Sequence, residues 1–173
     1  PLNVAPPTVT YETLDKVIEA GGELGYPMHH DYNGADQTGF AYYELTQKHG
    51  KRCSAKNAFI DPIRARRKNL VIETRAFAHK VLIENGRAVG VMFLQNGKQR
   101  AIKATREMVL SAGAVQSPQL LELSGIGQGN RLKSLGIDVI RDLKGVGENL
   151  QDHYISRLSW RLTGLDSLNR LTR

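Results

Sequence analysis

The stretch VLSAGAVQSPQLLELSGIG, residues 109–127, decides how the rest of the chain is read. A short apolar run, EMVLSAG from Glu107, reads as a strand that enters a turn of small residues, Ser111-Ala112-Gly113-Ala114. A helix is expected next, opened by Ser117-Pro118 and closed by Gly125. Strand, small-residue turn and helix follow one another in that order in a parallel α/β sheet, whose ligands bind in the crevice beyond the carboxyl ends of the strands. With so little side-chain bulk at Ser111, Ala112 and Gly113, a nucleotide could lie directly against the backbone. The same small residues would equally let the helix pack close to the strand.

Upstream of this stretch the hydrophobic period changes to two. LVIET (70–74), AHKVLIEN (78–85), AVGVMFLQ (88–95) and QRAIKA (99–104) read as four strands. Asn85-Gly86 and Asn96-Gly97 stand where two-residue hairpin turns require positive φ. An antiparallel β-meander is therefore expected over residues 70–105. Farther back, Pro1 to Pro7 disfavours helix. A helix with Leu14, Val17 and Ile18 on one face follows, capped by Thr10 or Thr13 and ended by Gly21-Gly22. Residues 25–50, rich in Gly, Tyr, Asp and Asn, read as a structured loop region. Residues 54–67 regain helical character, split by Pro62. Downstream, a short helix at residues 130–135, a strand at 138–141 and a glycine turn at 145–147 are expected. A strand-like segment, Tyr154 to Leu162, and an amphipathic tail, Leu165 to Arg173, complete the chain.

Composition sets the outer bounds. The 173 residues are 40% hydrophobic and 24% charged, as in an ordinary globular domain. No run approaches the roughly 20 apolar residues of a membrane helix, and the first residues have no basic or apolar leader pattern. The chain is expected to be soluble. Cys53 is the single cysteine, which rules out an internal disulfide and makes a reducing cytoplasm the expected setting. The net charge of +7 raises nucleic acid as a partner, but Arg64 to Lys68 (RARRK) is the only dense basic run and no interleaved aromatic motif accompanies it. That run could also serve an acidic partner or an anionic membrane, although as the flank of a helix end it is accounted for by the helix dipole. Adjacent His29-His30 lack metal-ligand spacing, so no metal is expected. Asp152 and Glu148 read as turn-forming residues, and His153 as a residue that either ties a loop by hydrogen bonds, the favoured reading, or approaches a flavin.

The residue pattern carries a resemblance. Gly113-Ala114, Ser117-Pro118, Leu120-Leu121 and Ser124-Gly125-Ile126-Gly127 resemble, in order, the second signature of the glucose-methanol-choline oxidoreductases. GIDVIRDLKGVGENLQDH (136–153), GKRCSAKNAFIDP, and RKNLVIETRAFAHKVLIENGRAVGV are similar to neighbouring stretches of that family, most of all its choline dehydrogenase and alcohol dehydrogenase branch. The likeness runs from about Pro1 to His153. Two family features have no counterpart here: the N-terminal GxGxxG turn that holds the FAD pyrophosphate, and the C-terminal segment with the His-His or His-Asn pair that takes the alcohol proton. Pro1 begins without Met, and Arg173 ends in mid-pattern.

The resemblance implies a mixed α/β fold: part of a Rossmann-like FAD-binding domain with an inserted antiparallel meander (residues 1–153), then the start of a substrate domain (154–173). It implies FAD as the cofactor of a longer parent that oxidises a primary alcohol, with this chain inactive by itself and retaining no FAD. The strand matching AFAHKVL implies Ala78 as a main-chain contact to the adenine edge, and Ser111, Ala112 and Gly113 lie near the adenosine half. The family commonly has Ala where Ser111 stands. No catalytic residue falls within the chain. A small-molecule alcohol is the expected partner, with the electron acceptor unassigned, a homodimer allowed, and the parent cytoplasmic or peripheral to an inner membrane. The competing expectation is a binding or scaffolding module that has kept this sequence without catalysis.

Overall fold

In the computed structural model residues 1–167 and 169 are described, and they form two compact units. One comprises Pro1–Val71 with the described residues from Arg157 onward, the other Ile72–Ser156.

In the first unit, helix α1 (Glu12–Glu23) starts after Tyr11 without a side-chain cap. The expected capping threonines do not act: Thr13 lies inside the helix and donates its hydroxyl to Asp166 O, 2.9 Å away. Gly21 and Gly22 are also inside the helix rather than ending it. Gly21 is buried, and a Cβ there would lie 2.4 Å from the Phe40 ring, so the glycine admits a ring across the helix surface. The chain turns at Gly25, with φ +84°. The loop region after it is pinned by bridges between Met28 and Phe40 and between Ala5 and Leu45. It also holds an unanticipated hairpin, β1 (Gln47–Lys48) and β2 (Lys51–Arg52), turning at His49-Gly50 with both φ values positive. Pro62 splits the next helical stretch as expected, into a five-residue π-helical turn (Lys56–Ile60) and α2 (Asp61–Arg64).

The second unit contains the meander: β3 (Ala76–Glu84), β4 (Arg87–Gln95) and β5 (Lys98–Lys103), antiparallel in that order. Asn85-Gly86 and Asn96-Gly97 make both turns with positive φ. The expected first strand, LVIET, is absent. Arg75 takes φ +55° just before β3, breaking the extended backbone, and Thr74 O accepts a side-chain bond from Gln95 instead of a ladder bond.

Helix α3 (Gly113–Leu123) begins earlier than expected, with Pro118 inside it and not at its start. Gly125 closes it as expected: its φ is +85°, and its carbonyl accepts from the N–H groups of Ile140 and Arg141. Then β6 (Ile126–Gly127), α4 (Gly129–Ser134) and β7 (Arg141–Asp142) follow, with β6 and β7 paired in parallel, so the strand expected at 138–141 starts later. Residues 107–112 and 154–162 form no strand among the described residues. A strand is stable only through its ladder, and neither segment has a partner. The tail expected from Leu165 falls partly outside the described residues.

The core of this unit is Val81, Phe93, Leu120 and Leu132, all less than 7% exposed. Ser124, 1% exposed, joins helix to sheet: its hydroxyl donates to Leu120 O at 2.6 Å and accepts from Val81 N–H at 2.7 Å. Ser124→Ala would leave the buried Val81 N–H without a partner, a loss of about 1–3 kcal/mol. The expected result is a lower urea midpoint together with faster hydrogen exchange at the Val81 amide, both read on the purified chain.

Candidate functional site

The small-residue turn opens onto a cleft of about 200 Å³ in the second unit, lined by Ala76, Phe77, Ala78, Ala112, Gln116, Gln119, Leu120 and Leu123. One wall is the start of β3 and the other is the face of α3 that carries Gln116, Gln119, Leu120 and Leu123. Among the described residues β3 pairs on one side only, with β4, and on its other side Val81 reaches α3 through Ser124. The register of β3 slips between Ala78 and Lys80, so the ladder is irregular where the strand borders the cleft.

The start of α3 is shaped by two local features. Gly113 has φ +91°, a conformation side-chain-bearing residues rarely adopt, and nothing stands within 4 Å of where its Cβ would be. Ser117 accepts the Ala112 N–H through its hydroxyl at 3.0 Å. The N–H groups of the first turn, Gly113 to Val115, carry no intrahelical partner, and the helix N-terminus favours electron-rich atoms. Pro118 offers no N–H to Ala114 O, which leaves that carbonyl without its helical donor.

Ala78 and Ala112, 34 positions apart in the chain, therefore line one cleft. Gly113 adjoins it as the first residue of α3, and Ser111 precedes the lining without joining it. Gln116 and Gln119, one helical turn apart on α3, also line the cleft and are the polar residues of its lining; nothing local in the sequence singles them out beyond their i, i+3 spacing. The lining contains no Asp, Glu, His, Lys or Cys. Its surfaces can take a flat, apolar ring with polar edges, and they hold no group able to accept a proton. The nearest carboxylate on α3, Glu122, turns into a different cleft, where Arg131 Nη1 is 3.3 Å away.

None of the other candidate functional residues singled out from the sequence lines this cleft. His29 Nε2 is 2.7 Å from Thr38 O. His153 and Asp152 are both highly exposed and contact each other. The His153 backbone N–H, then its ring, hold the Asp152 carboxyl below the usual carboxylate range. No cluster of potential metal ligands occurs among the described residues, and no helix there is long and apolar enough to cross a membrane.

The sequence profile of the GMC oxidoreductases matches residues 1–155. The chain belongs to the GMC oxidoreductase family. This GMC oxidoreductase chain is 44% identical over 170 residues to an oxygen-dependent choline dehydrogenase of Sinorhizobium fredii (strain NBRC 101917 / NGR234), a match covering 96% of the chain and 31% of that relative. Among solved structures, pyridoxine 4-oxidase from Mesorbium loti superposes with a TM-score of 0.82 at 30% identity, over 88% of this chain and 30% of that one. An FAD-dependent oxidoreductase from Chaetomium thermophilum gives 0.81, also at 30%, over 88% and 27%. The chain thus spans about three-tenths of the curated relatives it matches. The mixed helix-and-strand fold read from the sequence is the fold of these proteins.

Because α3 begins at a positive φ, Gly113→Ala should destabilise the second unit by about 1–3 kcal/mol. Chemical denaturation measures that loss. Ser111→Ala, at a position outside the cleft lining, should leave the midpoint unchanged.

Proposed function

We propose that this GMC oxidoreductase chain forms the adenine-side wall of the FAD site of a longer flavin-dependent dehydrogenase acting on a primary alcohol, choline-like or aliphatic. The observation that carries the reading is the meeting of Ala78 and Ala112 in one cleft at the start of α3. The lining fits an adenosine group: small side chains that admit a ring and two glutamines beside them. Family membership and relatives named as choline dehydrogenases support the substrate class, and a similar solved structure named as FAD-dependent supports the cofactor.

On this reading Ala78 meets the cofactor through its backbone, while Ala112 and the adjoining Gly113 keep the adenosine side free of bulk, with Ser111 leading into the turn. Bound flavin supplies hydride acceptance, which no side chain can provide. This chain's own work is binding, orientation and exclusion of water from the adenosine half. Proton removal from the alcohol needs a base that the cleft does not contain, so the isolated chain has no turnover. The reading divides the chain into cofactor-domain residues 1–153 and the beginning of a substrate domain at 154–173, in a cytoplasmic protein.

Visible absorption and flavin fluorescence of the purified chain, with and without added FAD, test this. The expected result is no stoichiometric flavin, because a single adenine-side wall holds only part of the cofactor. A stoichiometric flavin spectrum would contradict the reading. In the longest product of the gene, flavin should be present and Ala112→Leu should reduce its occupancy at least about tenfold, the effect of a side chain pressed into a close-packed site. Full occupancy in that variant would place the cofactor elsewhere.

A further inference from the structure

Residues 46–70 of the first unit contain eight of the 24 Lys and Arg residues (Lys48, Lys51, Arg52, Lys56, Arg64, Arg66, Arg67 and Lys68) and one of the 17 acids, Asp61. Their net charge, 8 − 1 = +7, equals that of the whole chain; the other 148 residues hold 16 cations and 16 acids and are neutral. The excess charge is therefore confined to about one-seventh of the sequence. All eight cations are exposed.

The structure brings three of these cations to one cleft. The β1–β2 hairpin turns at His49-Gly50 and sets Lys48, Lys51 and Arg52 around a cleft of about 690 Å³ whose other side includes Asn57 and Pro62. The basic run begins at Arg64, two residues past Pro62. Asp61 is taken up by Lys56 at 2.8 Å. None of the other seven cations has a carboxylate within ion-pair distance among the described residues. The helix dipole accounts for Arg64 alone, because α2 ends there after four residues. Uncompensated like charges held together oppose compaction, and an anionic partner removes that penalty.

The cations stand beside exposed apolar groups, Phe59 at 53% and Ile63 at 40% exposure. Arginine next to aromatic and aliphatic side chains is the composition of a protein-binding surface. The concavity decides between partners: a cleft admits a projecting acidic segment, whereas a bilayer presents a flat face. Nucleic acid would call for stacking aromatics across the patch, and Phe59 is the only aromatic residue in the stretch.

We propose that this basic cleft is a docking site for an acidic segment of a partner protein. Acidic side chains enter between the hairpin and α2, and the run from Arg64 to Lys68 extends the contact. The site is separate from the adenosine cleft and does not depend on the flavin reading.

Fluorescence anisotropy of a labelled oligoglutamate peptide tests it. The chain should bind the peptide and lose at least about tenfold in affinity when salt rises from about 50 to 200 mM, because exposed charges are screened over the Debye length. The triple variant Lys48→Glu, Lys51→Glu, Arg52→Glu should lose at least about tenfold, a change of the size produced by removing complementary charges from a binding surface. A second variant, Arg64→Gln with Arg66→Gln, alters only exposed side chains and should weaken binding several-fold with unchanged circular dichroism. Absence of binding, or equal binding by both variants, would overturn the proposal. So would tighter binding to phosphatidylserine vesicles or to single-stranded DNA, which would assign the patch to a membrane or to nucleic acid. Peptide binding that disappears in the longest product of the gene would also overturn it, because the patch would then face its own chain.

Discussion

One hydroxyl group determines the form of the second unit. Ser124 sits fully buried between the end of α3 and the middle of β3, and it is bonded to both backbones at once. Val81 belongs to a strand whose second edge pairs with no other strand among the described residues, so its N–H would be buried without a partner if the serine were absent. A buried donor without an acceptor is expensive. Satisfying it requires α3 to lie along β3 at a fixed distance and register.

The cleft follows from that constraint. Once Ser124 is fixed against Val81, the first turns of α3 lie over the start of β3, and the facing side chains have to be small for a gap to remain. Ala76, Ala78 and Ala112 meet that condition, and Gly113 permits the positive φ with which the helix begins. Gly125, at the other end of the helix, directs the chain back so that its carbonyl receives Ile140 and Arg141. The C-terminal end of the helix is thus fixed by Ser124 and Gly125.

Local chemistry was legible in the sequence wherever the cause was local. Asn85-Gly86, Asn96-Gly97, Gly125 and the split at Pro62 each act through their own backbone, and each produced the expected feature. Features that depend on distant partners were not legible. Gly21 reads as a helix stop, yet it is buried inside α1 because Phe40, 19 residues later, packs on it. The apolar run before Ser111 and the alternating segment from Tyr154 to Leu162 both have strand patterning, and neither has a strand partner among the described residues. The meeting of Ala78 with Ala112 left no local trace beyond the family likeness, because it is fixed by Ser124, and Gln116 and Gln119 acquire meaning only once that cleft exists. The charge shows the same limit: the run at Arg64 to Lys68 is visible in the sequence, but the cleft that sets Lys48, Lys51 and Arg52 across from Pro62 is a product of folding.

The most direct test of the adenosine-side account is a titration of AMP into the isotope-labelled chain, followed by amide chemical shifts. AMP presents the adenine and ribose without the rest of the cofactor, so weak binding in fast exchange is sufficient. The account predicts shifts confined to Ala76–Ala78 and Ala112–Gln119, with the N–H groups of Gly113 to Val115 among the largest. Unchanged spectra at saturating AMP, or shifts centred elsewhere in the chain, would contradict it.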